Sequence, residues 1–131
     1  MRWAASYVAS FVVFFGVDFL WLSAMVGRVY RPTMGDIALA NVNLPPAIFF
    51  YGVYPIGLLA FAVAPAVKAE SLLAALLYGA LFGFFTYATY DLTNQATLRN
   101  WTMALSLIDM GWGTALAASA AAVGYLVVSR L

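Results

Sequence analysis

The stretch WAASYVASFVVFFGVDFLWLSAMV, from Trp3 to Val26, decides the fold. It is apolar throughout and long enough to cross the hydrocarbon core of a bilayer as one helix, which takes about 20 residues. It also carries Asp18 two thirds of the way along. The segment is too long for a signal-peptide core, contains an acid, and is followed by no A-x-A cleavage pattern, so it reads as a membrane span. Three further windows qualify on the same grounds: Leu44–Val67, Ser71–Tyr90 and Thr102–Val128. The expected fold is all-α: a four-transmembrane-helix bundle, read as a single transmembrane domain over residues 1–131.

Composition agrees. Of 131 residues, 66% are hydrophobic and 8% charged, against about 45–50% and about 25% in a soluble domain. The net charge of +1 leaves no basic footprint for nucleic acid and no cluster for anionic lipid. The chain has neither Cys nor His. This removes disulfides, thiol nucleophiles, Cys/His zinc sites, haem–His ligation and a Ser-His-Asp triad. Any chemistry falls to Asp, Glu, Tyr, Arg, Lys, Ser or Thr.

The connections are Gly27–Asn43, Lys68–Glu70 and Asp91–Trp101. The middle one is a tight turn, so spans two and three are antiparallel neighbours. Pro32 is placed to open a short helix, and Gly27–Asn43 reads as a segment lying at the membrane surface. Pro55 should bend span two near Tyr54. Arg2, Lys68 and Arg130 fall on one side and Arg28, Arg31 and Arg99 on the other, so the positive-inside rule ties. The second group lies in loops beside span ends and leans towards the cytoplasm.

Polar residues gather in one half of the bundle. Asp18 and Asp109 both sit about 10–12 Å below the same surface at 1.5 Å rise per residue, with Asp91 at the mouth of span three. An acid inside a span costs about 2.5–3.5 kcal/mol on insertion scales and by default marks a functional site. Asp18 and Trp21 share a helical face, as do Asp109 and Trp112, because three residues separate each pair. On span three, Tyr87, Asp91 and Asn94 share a face with Tyr90 beside it; Tyr54 and Tyr51 lie in the same half of span two. Arg28, Arg31 and Arg99 are the nearby charge partners. Trp3 and Trp101 read as interface-belt residues. Gly79 and Gly83, with Gly113, Ala117 and Ala121, form small-residue ridges for close helix packing, within the bundle or in a homodimer.

This describes a cavity open to one side. Asp18 and Asp109 at similar depth are suited to sharing a proton, to cation binding, or to acid–base work on a lipophilic substrate. An oxygen-only hard-cation site is only weakly signalled by acids on three helices, and no metal or cofactor is assigned.

The segments YATYDLTNQATL (Tyr87–Leu98), VDFLWL (Val17–Leu22) and DMGWGT (Asp109–Thr114) together resemble a bacterial family of predicted membrane proteins catalogued as domain of unknown function 2177. The resemblance covers nearly the whole chain and implies a small multi-pass protein of the bacterial inner membrane. It brings no assigned activity, so no residue role is carried over.

Three functions stay open. One is binding or proton-coupled transport of a small lipophilic or amphipathic molecule or cation, with a homodimer implied. Another is an accessory subunit docked in the lipid bilayer to another membrane protein. The third is a membrane enzyme acting on lipid or isoprenoid material.

Overall fold

In the computed structural model, which describes residues 1–131, every regular element is helical. The four apolar stretches form α1 (Arg2–Ile37), α2 (Leu44–Ala69), α3 (Leu72–Thr97) and α4 (Met103–Arg130), each long and apolar enough to cross a membrane. Large apolar side chains face outward along all four: Val8, Val12, Phe19 and Leu20 on α1, Phe49 and Phe61 on α2, Leu81 and Phe85 on α3, Leu107 on α4. Ser6, Ser10, Asp18, Asp91, Ser106 and Asp109 are buried instead. Apolar outside with polar groups turned inside is the arrangement a lipid solvent demands.

With lipid outside, small residues and interhelical hydrogen bonds hold such a bundle together. The most extensive helix contact is α3 against α4. A Cβ on Gly83 would stand 2.4 Å from the Gly113 carbonyl oxygen and 2.6 Å from the Ala117 Cβ; one on Gly79 would stand 2.7 Å from the Ala121 Cβ. The two small-residue ridges therefore pack on each other within the chain. Helix α4 also meets α1: Ser6 Oγ donates to the Gly124 carbonyl at 2.9 Å and Ser10 Oγ to the Ala120 carbonyl at 3.0 Å. Helix α2 closes the bundle. Tyr7 donates to the Gly52 carbonyl at 2.7 Å, Phe14 stacks on Tyr54 at 4.4 Å, and the Tyr54 and Thr86 hydroxyls meet at 3.0 Å.

Helix α1 outruns the expected boundary at Val26. It passes through a wide turn at Val26–Tyr30, resumes over Arg31–Met34 and ends in a tight turn at Gly35–Ile37. Pro32 thus stands in the first turn of the short Arg31–Met34 helix, as expected, but that helix runs on from α1 without a break, and only residues 38–43 connect to α2. The same device recurs in α2, where Leu59–Val63 form a wide turn before Pro65. In both places the residue before the proline donates its N–H to the carbonyl five residues back, Arg31 to Val26 and Ala64 to Leu59. Proline has no N–H for the carbonyl four residues back. One widened turn just ahead shifts the hydrogen-bond register and lets the helix run on. Helix α2 is also continuous through Pro55.

Helix α3 likewise extends past Tyr90 to Thr97, which moves Asp91 from the expected mouth of the span into the interior. Its polar threonines do not break the helix because they bond to its own backbone: Thr89 donates to the Phe85 carbonyl at 2.6 Å and Thr97 to the Thr93 carbonyl at 2.8 Å. The α2–α3 turn closes with Glu70 in the left-handed region (φ 53°) and Ser71 capping α3, its Oγ accepting from the Ala74 N–H at 3.0 Å. Asn100 Nδ2 donates to the Met34 carbonyl at 3.0 Å and ties the α3–α4 connection to the end of α1.

Gly83→Ala should destabilise the bundle by about 1–3 kcal/mol through overpacking. Gly111→Ala, where nothing lies within 4 Å of the added methyl, should not. Thermal unfolding in one detergent distinguishes the two.

Candidate functional site

The site begins as a stripe on α1. Ser6, Ser10, Phe14 and Asp18 are its buried residues, four apart, and the row continues through Leu22, Val26 and Tyr30 along a cavity wall. Because the helix does not stop at Val26, Tyr30 is carried down onto the same face as Asp18. Helix α4 presents Asp109 and Trp112 to this stripe, and the two Asp-x-x-Trp pairs engage reciprocally. Trp112 Nε1 donates to Asp18 Oδ1 at 2.9 Å. Trp21 Nε1 donates to the Tyr30 hydroxyl at 3.0 Å, and that hydroxyl donates to Asp109 Oδ1 at 2.6 Å. The two indoles stack at 4.2 Å and 8°. Each tryptophan thus serves the acid of the opposite helix, directly or through Tyr30. Tyr51 of α2 donates to Asp18 Oδ2.

Asp91 of α3 is fully buried, and the antiparallel register that sets Gly79 against Ala121, Gly83 against Ala117 and Tyr87 against Gly113 brings it opposite Asp109 of α4. Ser106 Oγ donates to the Asp91 backbone carbonyl at 3.3 Å and accepts from Trp101 Nε1 at 3.0 Å. Trp101 is accordingly buried, edge-on to Tyr90 at 5.6 Å, and is no interface-belt residue. Trp3 is 39% exposed, with the Arg2 guanidinium 6.0 Å from its ring centroid.

Beside these paired acids and tryptophans lies a cavity of about 550 Å³, bounded by α1, the α1–α2 connection, α2, α3 and, at Asp109, α4. That volume falls within the small-molecule range of about 300–1,000 Å³. Asp18 and Asp109 reach its wall with Tyr30, Tyr51, Tyr54, Tyr87 and Tyr90; most of the remaining lining is apolar. Tyr87 is seated over Gly113, where a Cβ would come within 2.1 Å of its ring. Carboxylates and the negative faces of aromatic rings both favour positive charge.

The expected basic partners do not join the acids. The only ion pair is Arg99–Asp36 at 3.8 Å, on the surface. Arg28 is exposed, and Arg31, at the cavity rim, turns a guanidinium nitrogen to the Ala40 carbonyl at 3.0 Å. The reason is register: Arg28 and Arg31 flank Tyr30 on α1, so bringing Tyr30 inward turns Arg28 to the outer face and leaves Arg31 at the rim. Asn94 is half-buried and lines no part of the cavity. No three acids gather as a metal-ligand set.

Sequence reasoning missed Tyr30 and Ser106. The signal for Tyr30 was the four-residue row from Asp18, hidden because Gly27 and Pro32 read as loop. Ser106 offered none, since a single serine in a span usually bonds its own helix.

Helix, polarity and the clasp together describe a polytopic membrane protein. The chain belongs to the DUF2177 family of predicted membrane proteins, whose model matches residues 3–126. No curated protein and no solved structure matches it.

Tyr30→Phe should cost about 1.5–3 kcal/mol, the worth of a hydrogen bond to a charged group. Combined with Trp21→Phe, the losses should be clearly less than additive, because both remove the same relay. A double-mutant cycle of unfolding free energies measures this.

Proposed function

We propose that this is a multi-pass protein of the bacterial inner membrane that binds a small lipophilic or amphipathic molecule carrying positive charge and moves it with proton coupling. The observation that carries the reading is the cavity: apolar and tyrosine-lined, with Asp18 and Asp109 on its wall and Arg31 as its one basic residue. An apolar body suits the lining. A positive centre suits the carboxylates and ring faces. An anionic headgroup would meet two acids, and its bidentate arginine partner is absent from the inner wall. One chain supplies one cavity with acids on its wall, and a homodimer is the assembly expected for alternating access. The small-residue ridges that would support an accessory-subunit reading are used within the bundle.

Titration calorimetry of the purified protein in lipid nanodiscs tests this with tetraphenylphosphonium and the equally sized anion tetraphenylborate. The cation should bind saturably, and Asp18→Asn should weaken it about tenfold, or 1.4 kcal/mol. The anion should bind no better than to empty nanodiscs. Equal binding of both ions, or no saturable cation binding by folded protein, overturns the reading.

A further inference from the structure

The three buried acids differ in what donates to them. Asp18 receives two hydrogen bonds, from Tyr51 and Trp112. Asp109 receives one, from Tyr30. Asp91 receives none: both carboxyl oxygens are enclosed without a partner, as is Gln95 Oε1 one turn along. The nearby donors are engaged elsewhere. The Tyr30 hydroxyl goes to Asp109, the Ser106 hydroxyl to the Asp91 backbone carbonyl, and the Trp101 indole to Ser106. No Arg or Lys forms an ion pair with either carboxyl. The titratable groups around the pair are Asp18 and Tyr30 of α1, Tyr51 of α2, and Tyr87 and Tyr90 of α3.

An ionised carboxylate only accepts hydrogen bonds, whereas a protonated one donates. Two ionised carboxylates buried opposite each other make no bond and repel. A single proton between them turns the same contact into an O–H···O⁻ hydrogen bond, one of the strong kinds. It also gives Asp91 the one partner its surroundings offer.

We propose that Asp91 and Asp109 hold one proton between them, forming a proton-binding site behind the cavity wall. Asp109 lines the cavity and Asp91 does not, so Asp109 is the member a ligand can reach. The consequence rests on the cavity reading above. A cation arriving at Asp109 takes over the compensation of its charge, and the shared proton leaves through the cavity to solvent. One positive charge enters and one departs.

Infrared spectroscopy of the protein in lipid nanodiscs at neutral pH tests the pair directly. Wild type should show the carbonyl stretch of a protonated carboxyl. Asp91→Asn and Asp109→Asn should each abolish it, because the new amide donates to the remaining carboxylate in the proton's place and the fold persists. Circular dichroism checks that persistence. Absence of the band in wild type, or its survival in both variants, overturns the proposal. Thermal stability gives a second readout: a native state holding a proton that the unfolded chain releases loses stability as pH rises. Both Asn variants should lack that fall, and a flat wild-type profile overturns the shared proton. Tetraphenylphosphonium separates the two readings. If it binds and removes the band, the exchange holds. If it binds and leaves the band unchanged, the exchange is overturned. If it does not bind while the band is present, the acid pair stands and the cavity reading falls.

Discussion

A polar group inside a lipid-facing bundle has no water to turn to, and the interior of this protein is organised around that constraint. Ser6 and Ser10 give their hydroxyls to carbonyls of α4. Trp21 and Trp112 reach across to the other helix's acid or to the tyrosine that serves it. These interactions join α1 to α4 along their length, from the Ser6–Gly124 contact to the stacked indoles. The reciprocal clasp makes the two acids mutually dependent: displacing either helix would strip donors from both carboxylates.

Helix α4 can serve α1 on one face because its other face is so thin. Gly79 and Gly83 let the α3 backbone come close to Gly113, Ala117 and Ala121, and this approach brings Asp91 beside Asp109. Gly113 also makes the seat for the Tyr87 ring. Small residues, which carry no chemistry themselves, thus set where the chemical side chains meet. The two widened turns ahead of Pro32 and Pro65 work similarly. They keep α1 and α2 helical where a proline would interrupt them, and the first delivers Tyr30 to Asp109.

The resulting electrostatics are one-sided. Three acids occupy the interior, and the basic side chains stay at the surface or the rim. Tyrosine hydroxyls and indole N–H groups donate to Asp18 and Asp109, and no basic side chain pairs with either. Asp91 differs from the other two in receiving no hydrogen bond from another side chain.

Much of this was legible in the sequence. Four apolar runs longer than a bilayer requires become four helices, since in lipid only internally bonded backbone is stable. The same runs placed Asp18 and Asp109 at one depth and put each tryptophan on its acid's face, because those relations follow from the rise and repeat of a single helix. The small-residue ridges were legible for the same reason. What the tertiary structure alone decided is partnership: Trp112 with Asp18, Trp21 with Tyr30 and Asp109, Asp91 set opposite Asp109, and no arginine with any of the three buried acids. Spacing along one helix says which side chains share a face. Which residue of another helix meets that face depends on how the helices rotate and cross, and that was set by glycines, prolines and serines whose effect is felt only when the backbones touch.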